Sequence, residues 1–224
     1  MGFLGINILV DILFPHRCLY CNDIIDREGL VCESCYDRIS FTHWEAIKEN
    51  PLKQRLNSFF EISDAYALMN FEKKGLSRKI IHQLKYTGNE NIGKILANWT
   101  QERINLIQKP DILINIPIHT KKLKKQGYNQ LHLFTETLSK TWKIPCNNNY
   151  IIKTSDNKQS QAKKDRENRS KLAIDFEIPK QLSNTHFLLI DDICTTGNTI
   201  SEYARKILES PGNKISVLVM AIDL

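Results

Sequence analysis

The sequence predicts an α/β domain built on a parallel sheet, with a small cysteine-rich segment ahead of it. Three observations carry that reading. Residues 187–190, four apolar side chains in a row, read as a strand buried on both faces, and residues 111–117 (DILINIP) read as a second. Each is followed by a helical period: Ile200, Tyr203, Ala204, Ile207 and Leu208 after the first, and Leu131, Phe134, Leu138 and Trp142 after the second. Finally, Cys18, Cys21, Cys32 and Cys35 form two C-x-x-C pairs separated by ten residues.

At 224 residues the chain has room for one sizeable domain and a small appendage, here divided into residues 1–60 and 61–224. Its 42% hydrophobic and 25% charged residues are ordinary for a globular protein. Thirty-one basic against 25 acidic side chains give +6, a mild lean toward polyanions. The excess concentrates in residues 153–171, which hold seven basic and three acidic side chains.

No apolar run reaches membrane-spanning length. The opening MGFLGINILVDILFP lacks both a basic start and a small-residue cleavage site, so it reads as an amphipathic helix packed on the protein rather than an export signal. A partner or membrane-surface contact is the other use for its apolar face. A cytoplasmic chain is expected.

In that setting two C-x-x-C knuckles suit four thiolates converging on one structural zinc, since a segment this short has no core of its own. A redox pair needs only one such knuckle, and disulfides need an oxidising compartment. A closed four-thiolate site has no open position, so the metal is not expected to be catalytic.

Residues 36–60 read as polar helix and linker, broken at Pro51, with Leu52, Leu56, Phe59 and Phe60 as a short apolar face. Residues 62–71 contain a strand, residues 75–86 a short helix, and residues 91–107 a longer one. Within the first helix His82 reads as a surface or packing residue. The stretch GNENIGK from Gly88 to Lys94 misses a phosphate-binding P-loop, because Ile95 stands where Ser or Thr must supply the metal hydroxyl.

After the strand at residues 111–117, His119, Lys121, Lys122, Lys124 and Lys125 crowd a loop ending in GYNQ. In a parallel sheet, strand ends share one cleft, which makes this basic loop a pyrophosphate candidate. Tyr150 to Ile152 form a short strand. Residues 153–171 lack an apolar stripe and read as a polar flap suited to cover a charged substrate. Residues 214–224 alternate and then run apolar, giving a last strand.

The richest stretch is FLLIDDICTTGNTI, residues 187–200. Its strand is expected to end at Asp191 and Asp192, followed by a tight turn of Thr195, Thr196, Gly197, Asn198 and Thr199 at the head of a helix. Free N–H groups at such a helix start, with threonine hydroxyls beside them, suit one phosphate. The two carboxylates are acceptors and suit sugar hydroxyls, or a magnesium ion reached through water. A ribose 5-phosphate satisfies both demands. A capped helix beside two solvated aspartates is the plainer alternative, and a Walker B strand another.

From residue 188 to residue 200 the stretch resembles, without gaps, the phosphoribosyl pyrophosphate (PRPP) motif of type I phosphoribosyltransferases. That resemblance implies Asp191 and Asp192 on the ribose hydroxyls, as the catalytic carboxylates, and residues 195–199 on the 5-phosphate. With the cysteine knuckles, KYTG at 85–88, IPIHTKKLKKQGYNQ at 116–130 and the Gln161 to Arg169 flap in this order, nearly the whole chain resembles the ComF family of competence proteins.

The family resemblance implies a type I phosphoribosyltransferase-like domain behind a zinc-binding segment, PRPP bound with Mg2+, and a flexible loop marked by Gln161 and Arg169. It also implies a part in processing imported single-stranded DNA, with a competence DNA helicase and DNA-uptake proteins as partners. The competing class is a non-catalytic adaptor or single-stranded DNA binder on the same fold. Two positions depart from the family pattern. Gln126 stands where an Arg usually precedes the Gly, removing a cation near the expected pyrophosphate, and Leu172 replaces an Asn in the flap.

Overall fold

The computed structural model describes residues 14–26, 29–44, 47–86, 91–117, 131–153, 176–179 and 181–224. Within them β1 (Ala65–Asn70), β2 (Ile112–Asn115), β5 (His186–Cys194) and β6 (Lys214–Ile222) form one four-stranded parallel sheet in the order β1-β6-β5-β2. The last strand in sequence therefore lies inside the sheet. Its residues 215–222 are buried almost without exception, which explains why its second half runs apolar instead of alternating.

Six helices accompany this sheet among the described residues: α1 (Glu33–Tyr36), α2 (Pro51–Asn57), α3 (Leu76–Tyr86), α4 (Asn91–Arg103), α5 (His132–Trp142) and α6 (Asn198–Leu208). Two apolar clusters cover the sheet. One holds α3, α4, α5 and the cysteine segment against Leu68, Leu113, Leu188, Ile190 and Leu218. The other holds α2 and α6 against Ala67, Ile114, Phe187, Leu189 and Val217. Alternate residues of one strand thus serve different cores, and burying each large apolar side chain contributes roughly 1.5–3 kcal/mol.

The N-terminal segment reaches both cores by crossing the outer edge of β1. Tyr36 and Phe41 pack on Trp99 with ring centroids 5.1 and 6.0 Å apart, and the Arg103 guanidinium lies 4.0 Å over Phe41. Phe41 bridges antiparallel to Met69, with Thr42 N–H donating to Leu68 O at 3.1 Å and Asn70 N–H to Ser40 O at 2.7 Å. On the far side Asn50 caps α2, its Oδ1 accepting Lys53 N–H at 3.0 Å, while its Nδ2 donates to Ala65 O at 2.7 Å. Pro51 opens that helix at N1, where its missing N–H costs nothing.

Several expectations shift. The strand predicted to end at the aspartates continues to Cys194, because β6 runs beside it and pairs Asp191 with Val219, Ile193 with Ala221 and Cys194 with Ile222. The helix predicted to reach residue 107 stops at Arg103, and the Tyr66 hydroxyl accepts the Ile107 N–H at 2.9 Å. The short strand near Tyr150 is β3 (Ile152–Lys153), which pairs antiparallel with β4 (Phe176–Glu177) as a separate two-stranded sheet. No helix among the described residues is long and apolar enough to cross a membrane. The N-terminal apolar helix and most of the polar flap lie outside the described residues.

Candidate functional site

The turn at residues 195–197 joins β5 to the 11-residue α6. Gly197 is the N-cap, at φ +86°, a conformation that side chains with a Cβ adopt at a cost. A Cβ there would also lie 3.0 Å from Leu56 Cδ2 and 3.5 Å from Phe59 Cε2. Conformation and packing both require glycine. Thr195, Thr196, Asn198 and Thr199 are exposed around it. Asn198 N–H is met by the Thr196 hydroxyl at 3.4 Å, a long bond that leaves room for a stronger acceptor.

The aspartates sit in the strand rather than beyond it, and successive strand residues point to opposite faces. Asp192 is buried and its Oδ1 lies 2.8 Å from Lys85 Nζ, on the face that α3 covers. Asp191 faces the other way: its charge joins burial in raising the hydroxyl pKa of Tyr203 on α6. Asp191 Oδ1 also accepts the Asp192 N–H at 2.8 Å. The two carboxylates therefore flank the strand instead of standing side by side. Behind them burial pushes the Cys194 thiol up to about 11, although Arg55 opposes it.

Lys85 and Tyr86 of KYTG are described, and Lys85 joins the site through Asp192. His119, Lys121, Lys122 and Lys124 lie outside the described residues, as do Gln126, Gln161, Arg169 and Leu172. Arg55 is a residue that sequence reading missed. Its Nη1 donates to the carbonyls of Thr195 and, at 2.6 Å, Asp223. A bond to backbone carbonyls leaves no mark in a sequence.

In the N-terminal segment the four cysteine sulfurs of Cys18, Cys21, Cys32 and Cys35 all lie within 4.8 Å of one another. Tetrahedral zinc with Zn–S bonds of about 2.3 Å places its sulfurs about 3.8 Å apart, so the donor set and its spacing fit that ion. Burial works to raise the Cys18 thiol, but the backbone N–H groups of Cys21, Cys32 and Tyr20 outweigh it and bring it to about 6.

Between this segment and α3 runs a groove of about 480 Å³, lined by Leu19, Lys74, Arg78, Lys79, His82 and Gln83. Lys79 Nζ and the Arg38 guanidinium stand 4.7 and 4.9 Å from the Tyr20 ring centroid. His82 is exposed, and its ring lies tilted by 44° against that of Tyr86, itself 59% exposed, with centroids 4.6 Å apart. Glu72 folds over Gly75 at the rim.

A parallel sheet, a glycine-headed threonine turn and a four-cysteine knuckle together define an α/β protein of phosphoribosyltransferase type with an N-terminal zinc-ribbon segment. The chain belongs to the PRTase-CE family, whose model matches residues 67–222, and a double zinc ribbon domain matches residues 9–46. Its relatives bear out the competence-protein resemblance. Competence protein F of Haemophilus influenzae is 27% identical over 230 residues, covering 93% of this chain and 97% of the relative. Competence protein ComFC of Bacillus subtilis is 32% identical over 165 residues, 73% of this chain and 62% of that one. DNA utilization protein YhgH of Escherichia coli O157:H7 is 22% identical, covering 89% and 87%. Among solved structures, adenine phosphoribosyltransferase from Leishmania tarentolae aligns with 78% of this chain and 88% of its own at a TM-score of 0.39 and 12% identity.

Proposed function

We propose that the protein binds PRPP with Mg2+ and acts in the handling of DNA during natural competence. The observation that carries the first half is the turn itself: three exposed threonines and a left-handed glycine at the head of α6, two residues beyond a pair of carboxylates. Thr195, Thr196, Gly197, Asn198 and Thr199 take the 5-phosphate, and Asp191 and Asp192 the ribose hydroxyls, Asp192 by giving up its ion pair with Lys85. The basic loop of His119, Lys121, Lys122 and Lys124 takes the pyrophosphate, and the flap with Gln161 and Arg169 closes over it. Mg2+ supplies charge neutralisation of the diphosphate. With an acceptor in place, a nucleophile bonds to ribose C1 as the C1–oxygen bond breaks and pyrophosphate leaves. The second half is supported by the names of the relatives, competence proteins and DNA utilization proteins. Titration calorimetry of PRPP with Mg2+ into the Asp191→Ala, Asp192→Ala double variant tests the site. Binding is lost while the four-cysteine segment keeps its zinc. Unchanged affinity refutes the assignment.

The groove beside α3 supports a second reading, a single-stranded DNA adaptor. Arg78, His82 and Tyr86 recur at every fourth residue, so their side chains stand about 6 Å apart along one helix face. Arg78, with Lys74 and Lys79 beside it in the groove, offers cations to phosphates, and Tyr86 an exposed ring to a base. Fluorescence anisotropy with a labelled oligonucleotide would show a steep salt dependence, lost in Lys74→Glu, Arg78→Glu, Lys79→Glu. Unchanged affinity in that triple variant excludes the groove.

A further inference from the structure

Arg55 belongs to α2, far from the turn in sequence, yet it touches the turn's first residue. Its Nη1 donates to Thr195 O and to Asp223 O, while Asp223 N–H donates to Cys194 O at 2.9 Å. Both carbonyls at the entry of the turn are therefore tied down. The same stretch supplies Leu56 and Phe59 beneath Gly197. Behind it, Arg205 of α6 donates Nε and Nη2 to Phe59 O, each at 3.1 Å. Residues 55–59 thus grip the start of the turn, its glycine and the helix that follows.

The peptide unit joining Thr195 to Thr196 is planar and trans, so its N–H points opposite to its C=O. Drawing Thr195 O toward Arg55 turns the Thr196 N–H away from α2. The same bond covers a carbonyl dipole that would otherwise repel an anion, and it brings a permanent guanidinium charge to the turn. We infer that Arg55 is the positioning residue of this turn, holding Thr196 N–H ready for a phosphate and setting how tightly the turn grips it. The inference rests on the phosphate reading given above.

The test uses the full zinc-loaded chain and the variants Arg55→Ala and Arg55→Lys, with two readouts. The first is amide hydrogen exchange without ligand at Asp223 and Ser201, whose N–H groups donate to Cys194 O and Gly197 O at the two ends of the turn, each at 2.9 Å. The second is calorimetric affinity for ribose 5-phosphate, a probe carrying the phosphate and sugar alone. In Arg55→Ala, exchange accelerates and affinity falls, each by roughly ten- to hundredfold, the worth of a charge-assisted hydrogen bond. Arg55→Lys keeps the charge but carries its donors on a shorter, differently shaped side chain than the one that places Nη1, so it recovers part of both. A residue that serves stability alone would lower the melting temperature and leave the affinity of the folded protein untouched.

Unchanged exchange at Asp223 and Ser201 in Arg55→Ala overturns the inference, as does faster exchange with undiminished affinity. If the wild-type chain binds neither ribose 5-phosphate nor PRPP while Arg55→Ala still accelerates exchange, the phosphate reading has failed, and with it the ligand role of Arg55. The exchange data tell that failure from the others.

Discussion

The two sites are built in opposite ways. The cysteine knuckle draws its ligands from residues 18–35, and their spacing alone brings four sulfurs within 4.8 Å. The threonine turn draws only its rim from residues 195–199. Its floor is Leu56 and Phe59, its entry is tied by Arg55 and Asp223, and the nearby Asp192 is paired with Lys85 of α3. A local site is held by its metal and is lost with it. An assembled site is held by the sheet and degrades in steps.

The largest test of that contrast removes the metal. Structural zinc contributes on the order of 10 kcal/mol in small knuckles, so Cys18→Ser with Cys35→Ser abolishes zinc binding and unfolds the segment around it. Cys18 and Cys35 also line the first core, so thermal melting falls as well. Metal analysis and calorimetry read both effects. Hydrogen exchange at Asp223 and Ser201, whose N–H groups bond the two ends of the turn, stays as in wild type, since the floor of the turn lies in the second core. Acceleration there would show that the two sites are coupled.

Gly197→Ala strikes the assembled site. The positive φ costs about 1–3 kcal/mol, and contact with Leu56 adds to it. Urea unfolding measures the sum. Repeating the substitution on a Leu56→Ala background removes the contact but not the conformational cost, so the double-mutant cycle separates them.

A smaller effect comes from the N-terminal end of the strands. Burial lowers the His186 pKa, with Asp111 and Asp64 working against it, and its Nε2 lies 2.8 Å from Ser216 Oγ. The folded state then binds a proton less readily than the unfolded chain. The stability linked to His186 is complete above the ordinary histidine value of about 6.5 and is lost as pH falls below it. Denaturation midpoints between pH 7 and 5 follow that slope, and His186→Gln flattens it. Smallest of all is the surface pair Lys206–Glu209, its side chains 43% and 58% exposed, where Lys206→Ala shifts unfolding by under about 0.5 kcal/mol.

The same contrast explains what could be read in advance. The four ligands were legible because metal spacing is a sequence property. So were the buried strands, since unbroken apolar runs such as residues 187–190 record a covered sheet, and the helices that alternate with them. The continuation of β5 through its aspartates was not legible, because its cause is the register of β6, a partner later in the chain. Nor was the facing of Asp191 and Asp192 to opposite sides, which follows from that continuation. Residues 36–60 read as a linker with a short apolar face. That face is the floor of the turn, and Arg55 looked like any basic residue on a helix because its acceptors are backbone oxygens.

The crossing of the N-terminal segment over β1 has a consequence for solution behaviour. Ser40, Thr42 and Asn50 occupy hydrogen-bonding groups along β1, a strand at the margin of the sheet. An uncovered margin recruits strands from other molecules. Here the chain spends its own polar groups on that margin, so the sheet is closed to lateral growth by polymerisation on the β1 side.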